Sequence, residues 1–155
     1  MTNLKIDDNT SRNLYPAAAP ELKSILEESF PKGFFAMSII DRTPTVEAAL
    51  AIAGKTIADL TRTTDSLHET AVRIIETVIK VLWEGVAVDH SNSDQDKYEP
   101  RFIYKSGLGL SFTYYADWAT ATRCGPRLCY PSYDIMLHGI KILDRYYNDY
   151  LNSKN

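Results

Sequence analysis

The sequence predicts an α+β fold: three N-terminal helices, then a small three-stranded antiparallel sheet and a C-terminal helix. Three observations predict it. Apolar residues recur at helical spacing from Leu67 to Leu82, behind a capping signal. From Arg101 onward the apolar period changes to two, with a tight-turn pair at Ser106-Gly107. A helical pattern then returns after Pro131-Ser132. Helices followed by clustered strands describe a small sheet covered on one face.

Residues 1–16 are polar around Asp7-Asp8-Asn9-Thr10-Ser11-Arg12-Asn13 and read as a loose, flexible arm. Pro20 opens the first helix, with Leu22, Ile25 and Leu26 on its apolar side, and Pro31 with Gly33 closes it. An extended piece is expected from Phe34 to Ile39. Thr43 is the expected cap of the second helix, which buries Val46, Ala49, Leu50 and Ala53 before Gly54. Ser66-Leu67-His68-Glu69 has capping-box form. Leu67, Ala71, Ile74, Ile75, Val78, Ile79 and Leu82 form the stripe of the third helix, and Gly85 stands at its end. Glu69, Arg73, Glu76 and Lys80 give its other side an alternating charge ladder, which is a solvated face.

Residues 89–96 form a polar loop. Strands are expected over Arg101–Lys105, Leu108–Asp117 and Arg127–Tyr130. In the second strand Leu108, Leu110, Phe112 and Tyr114 share the core-candidate face, and Gly109, Ser111, Thr113 and Tyr115 the opposite one. The last helix carries Ile135, Met136, Ile140, Leu143, Tyr146, Tyr147, Tyr150 and Leu151 on its apolar side. One α+β domain over 17–151 and a frayed tail at 152–155 complete the layout.

At 155 residues the chain fits one domain. Its net charge of −3 lacks the basic footprint that phosphate contacts demand, which disfavours nucleic acid without removing it. No apolar leader opens the sequence, and the run from Ile74 to Trp83 is broken by Glu76 and Lys80, so no membrane span and a cytoplasmic setting are expected. Cys124 and Cys129 then read as thiols, with a disulfide across a turn left open. Ten of the seventeen aromatics are Tyr, which suits half-buried positions and interfaces.

No cofactor or metal is expected. Asn92, Asp94 and Asp96 alternate as in a calcium loop, but Lys97 holds the position of the turn glycine and Ile103 that of the bidentate glutamate. A transition-metal site at His90 with Asp94 or Asp96 is weaker than a polar turn with a surface histidine. His68, His138 and Cys129 lack a neighbouring nucleophile or base motif, so an enzyme with an unrecognised site ranks third among the functional readings. Gly107 and Gly109 precede a strand, which rules them out as a phosphate cradle.

Three segments carry a resemblance. They are Ile40-Asp41-Arg42-Thr43-Pro44-Thr45-Val46-Glu47-Ala48-Ala49, Trp83-Glu84-Gly85 leading to Lys97-Tyr98-Glu99-Pro100, and Gly125-Pro126-Arg127-Leu128-Cys129-Tyr130. Together they resemble a family of uncharacterised proteins of Bacteroidetes genomes and their prophages, over roughly residues 21–151. Pro126 departs from the small residue expected there. The resemblance implies a phage or mobile-element accessory role and supplies no activity.

The leading functional expectation is a non-catalytic module that binds a protein partner or a second copy of itself. Its candidate binding residues are Tyr98, Arg101, Tyr115, Trp118, Arg123 and Arg127, planar groups on rigid strands. The second reading puts single-stranded nucleic acid on the same face, with bases stacked on the rings.

Overall fold

The structure is a computed structural model describing residues 6–89, 91–92, 94–105, 109–117 and 128–152. At Asn9 and at 104–105, 109–111 and 113–117 only the backbone is described. The described residues form seven α-helices and one antiparallel strand pair. Contacts divide the chain into two compact units, Met1–Asp41 and Arg42–Asn155.

The first unit holds α1 (Asp8–Leu14), a 3₁₀ turn at Tyr15–Ala17, α2 (Pro20–Ser29) and a second 3₁₀ turn at Phe34–Ala36. The expected loose arm is therefore helical from Asp8. Asp7 starts α1, taking the Thr10 N–H at 3.0 Å and the Thr10 hydroxyl at 2.6 Å. Pro20 opens α2 from an extended Ala19, since its missing N–H belongs to the unbonded first turn. Of the expected stripe of α2 only Leu26 is buried, while Leu22 and Ile25 are exposed. Phe34–Ile39 is not extended: the 3₁₀ turn occupies its start and α3 (Ile39–Arg42) takes over at its end.

The second unit is built on α4 (Val46–Ile52), α5 (Ile57–Leu60), α6 (Leu67–Leu82) and α7 (Tyr133–Asn152). Thr45 caps α4 by accepting the Ala48 N–H at 3.2 Å. Thr43, the expected cap, is buried and bonded to His138 instead. The helix α5 escapes the sequence pattern because it is one turn long, yet it carries a full capping box of Thr56 and Asp59. Ser66 and Glu69 form the expected box on α6. Ala71, Ile74, Ile75, Val78, Ile79 and Leu82 of its stripe are buried, and Leu67 in the first turn is exposed. Met136, Gly139, Leu143 and Tyr147 of α7 meet that stripe from the other side.

A three-stranded sheet is not seen among the described residues. The protein is mostly helical, and the described strands β1 (Tyr98–Lys105) and β2 (Gly109–Asp117) form a two-stranded sheet. The segment expected as a third strand contributes one isolated bridge, with Tyr98 N–H to Tyr130 O at 2.9 Å and Tyr130 N–H to Tyr98 O at 2.8 Å. The pairing does not continue past Tyr130 because Pro131 has no N–H to donate and α7 begins at Tyr133, while the Tyr130 ring is fully buried against Gly139 of that helix. The ring of Phe102 on β1 lies 4.8 Å from that of Tyr147, so the ribbon packs on α7 by the face that holds Pro100 and Phe102.

Candidate functional site

The end of α2 builds an aromatic recess within the first unit. The Phe30 N–H still bonds Leu26 O at 3.2 Å, but Pro31 has no N–H with which to continue the helix. Two tight turns follow, with Phe34 N–H to Pro31 O at 2.9 Å and Ala36 N–H to Gly33 O at 3.0 Å. Gly33 stands between them at φ 83°, a conformation that strains any residue with a Cβ. The turns bring Phe30, Phe34 and Phe35 together with Tyr15.

The rings form two stacks joined at right angles. Tyr15 and Phe35 are nearly parallel with centroids 4.1 Å apart, and Phe30 and Phe34 stack at 4.4 Å. Phe35 meets Phe30 at 5.4 Å and Phe34 at 4.9 Å edge to face. A cation caps each stack: the Arg12 guanidinium lies 3.6 Å from the Phe34 centroid and the Lys23 ammonium 5.5 Å from that of Tyr15. Around the rings lies an open recess of about 650 Å³, with Glu27, Lys32 and Ala36 completing its wall. All four aromatic residues are half-buried. The Tyr15 hydroxyl donates to Glu27, and that bond, before burial and the carboxylate's charge, pushes the phenol above its ordinary range.

The strand face carries the expected site only in part. Tyr98 and Arg101 are half-buried, and the Arg101 guanidinium lies 3.4 Å from the Glu99 carboxylate. Tyr115 pairs in register with Pro100, and Tyr114 with Arg101. A bulge at Thr113 shifts the register between Arg101 and Phe102, so the predicted alternation of β2 slips by one residue beyond it. By register Tyr115, expected on the face opposite Phe112 and Tyr114, stands across from Pro100. Trp118, Arg123 and Arg127 lie outside the described residues, as do Cys124 and the His90 invoked for a metal.

The two described histidines are tied to main chain. His68 Nδ1 lies 2.8 Å from Tyr150 O, with its ring stacked on Tyr150 at 5.0 Å. His138 Nε2 is 2.8 Å from Thr43 O and 3.0 Å from Thr43 Oγ1. The carbonyl can only accept, so Nε2 carries the proton and cannot also act as a base toward the threonine hydroxyl. Cys129 is buried, and burial pushes its thiol up to about 11, away from a nucleophilic thiolate at neutral pH. Among the described residues no cluster of His, Cys, Asp and Glu could hold a metal ion, and no helix is long and apolar enough to cross a membrane.

Sequence reasoning missed the recess because Pro31 and Gly33 read simply as a helix stop. The available signal was three phenylalanines within six residues around that stop, more apolar surface than a solvated turn carries. Comparison with protein-family models, curated proteins and solved structures found no match.

Proposed function

We propose that this chain is a non-catalytic protein-binding module whose docking site is the aromatic recess of its N-terminal unit. The observation that carries the reading is four half-buried rings held in two stacks around an open recess of about 650 Å³. Rings fixed by stacking lose little freedom on binding and desolvate a large area, which is what an anchor pocket requires. A phage or mobile-element setting belongs to the same proposal and rests on the three-segment resemblance alone.

Selection from a random-peptide display library on the full chain tests the docking site. Enriched peptides should lose affinity for Phe35→Leu and keep it for Ile103→Ser on the strand ribbon. Peptides that ignore the Phe35 substitution but respond at Ile103 would return the site to the strands, and a selection without enrichment would remove the recess as an anchor.

A further inference from the structure

The charges around the recess select among partners. Resting on the docking reading above, we propose that it takes an acidic segment of the partner protein, an apolar anchor side chain followed closely by carboxylates. Tyr15 has Phe35 against one face and the Lys23 ammonium over its ring, and Phe34 has Phe30 and the Arg12 guanidinium. The faces of these two rings, where the aromatic quadrupole is negative, are thus already filled, and by positive groups. Lys32 brings a third cation into the wall itself. Among the described residues neither Lys23 nor Lys32 makes an ion pair. Against these three stands one carboxylate in the wall, Glu27, which already accepts the Tyr15 hydroxyl.

The wider unit has the opposite balance. Residues 1–41 contain four Lys and Arg against six Asp and Glu, yet among the described residues Glu27 is the one acid of that set in the recess wall. Asp7 accepts the Thr10 hydroxyl at 2.6 Å, and Asp41 the Ser38 hydroxyl at 2.7 Å. Salt screens exposed charges beyond about 8 Å at physiological ionic strength, so the nearest groups decide the sign. The rings, Pro31 and Ala36 supply the apolar lining for an anchor. Lys32 is exposed, and its four-carbon stem lets the ammonium reach a carboxylate at the rim.

The blocked peptide acetyl-Phe-Glu-Glu-amide and its uncharged isostere acetyl-Phe-Gln-Gln-amide separate charge from shape. On the full chain both should shift the backbone amide resonances of Gly33, Phe34, Phe35 and Ala36 saturably. The Glu peptide should bind roughly two- to five-fold more tightly, as exposed ion pairs imply, and about 0.5 M salt should erase the difference. Lys32→Gln should narrow the difference and leave the Gln peptide unchanged, while Lys141→Gln on α7 should alter neither. Equal affinity for the two peptides, or a Glu advantage undiminished by Lys32→Gln, would overturn the acidic preference. Failure of both peptides to shift those amides would also overturn it. The docking reading is judged separately: a display selection enriching peptides that need Phe35 but carry no acidic residues would keep that reading and sink this one.

Discussion

Gly139 leaves its Cβ position to the Tyr130 ring. A Cβ added at Gly139 would lie 2.3 Å from Tyr130 Cε1, and both residues are buried. Gly139→Ala should therefore force the ring aside and cost about 1–3 kcal/mol in urea unfolding, as overpacking does. An unchanged midpoint would mean the ring has room. Burial also acts on Cys129, whose thiol rises from 9.0 to about 11. A raised acid group stabilises the fold fully below its unfolded value, and that stability is lost as pH climbs from about 9 toward about 11. The buried phenols of Tyr130 and Tyr147 shift in the same direction from a higher starting value of 10.0, so the thiol acts first. Urea unfolding at pH 8 and 10 should show a fall that is shallower in Cys129→Ala, and parallel pH profiles would refute the assignment. Neither effect was visible in sequence, where Gly139 is a weak helix residue and Cys129 a small apolar one.

At the scale of elements, local chemistry was legible and pairing was not. The Ser66–Glu69 box was read directly, because a cap is satisfied within four residues. Ser66→Ala should lower thermal stability by about 1 kcal/mol, measured by circular dichroism at 222 nm. The hydrogen bonds from Ser66 hold the Glu69 carboxyl below its ordinary range, so its contribution to the cap is full above that range and is lost as pH falls from there through the lowered value. A Ser66→Ala variant with unchanged melting would show that packing alone starts α6. The third strand, by contrast, was expected over Arg127–Tyr130, after Gly125-Pro126. Whether a segment enters a ladder depends on what its side chains meet, and Tyr130 meets α7 and the Tyr147 hydroxyl at 2.7 Å. The bulge at Thr113 is of the same kind, since period-two alternation cannot announce a residue that the partner strand skips.

At the scale of the molecule, the chain read as a single domain over 17–151 forms two compact units meeting in sequence at Asp41 and Arg42. They differ in kind: buried aliphatic packing around Ile74, Ile75, Val78 and Leu143 in one, and half-buried stacked rings beside Leu26 as the buried apolar residue of α2 in the other. Ile75→Ala removes a fully buried side chain and should cost about 2–5 kcal/mol. Hydrogen exchange should accelerate through α6 and α7 while the amides of α2 and the Phe34–Ala36 turn keep their protection. Equal acceleration in both would mean that the units unfold as one.

The amino-acid sequence by itself determined where α2, α6 and α7 lie, the Ser66–Glu69 box that starts α6, and an aromatic-rich hairpin with no basic footprint. Those features depend on neighbours within a few residues, and periodicity and capping report such neighbours faithfully. Only the tertiary structure decided that the sheet among the described residues is two-stranded, that Thr43 bonds His138 and both described histidines are tied to main chain, and that Tyr15 joins three phenylalanines around a recess. Tyr15 and Phe35 are twenty residues apart in the chain, and their stacking follows from turns at Pro31 and Gly33 whose geometry no side-chain period encodes.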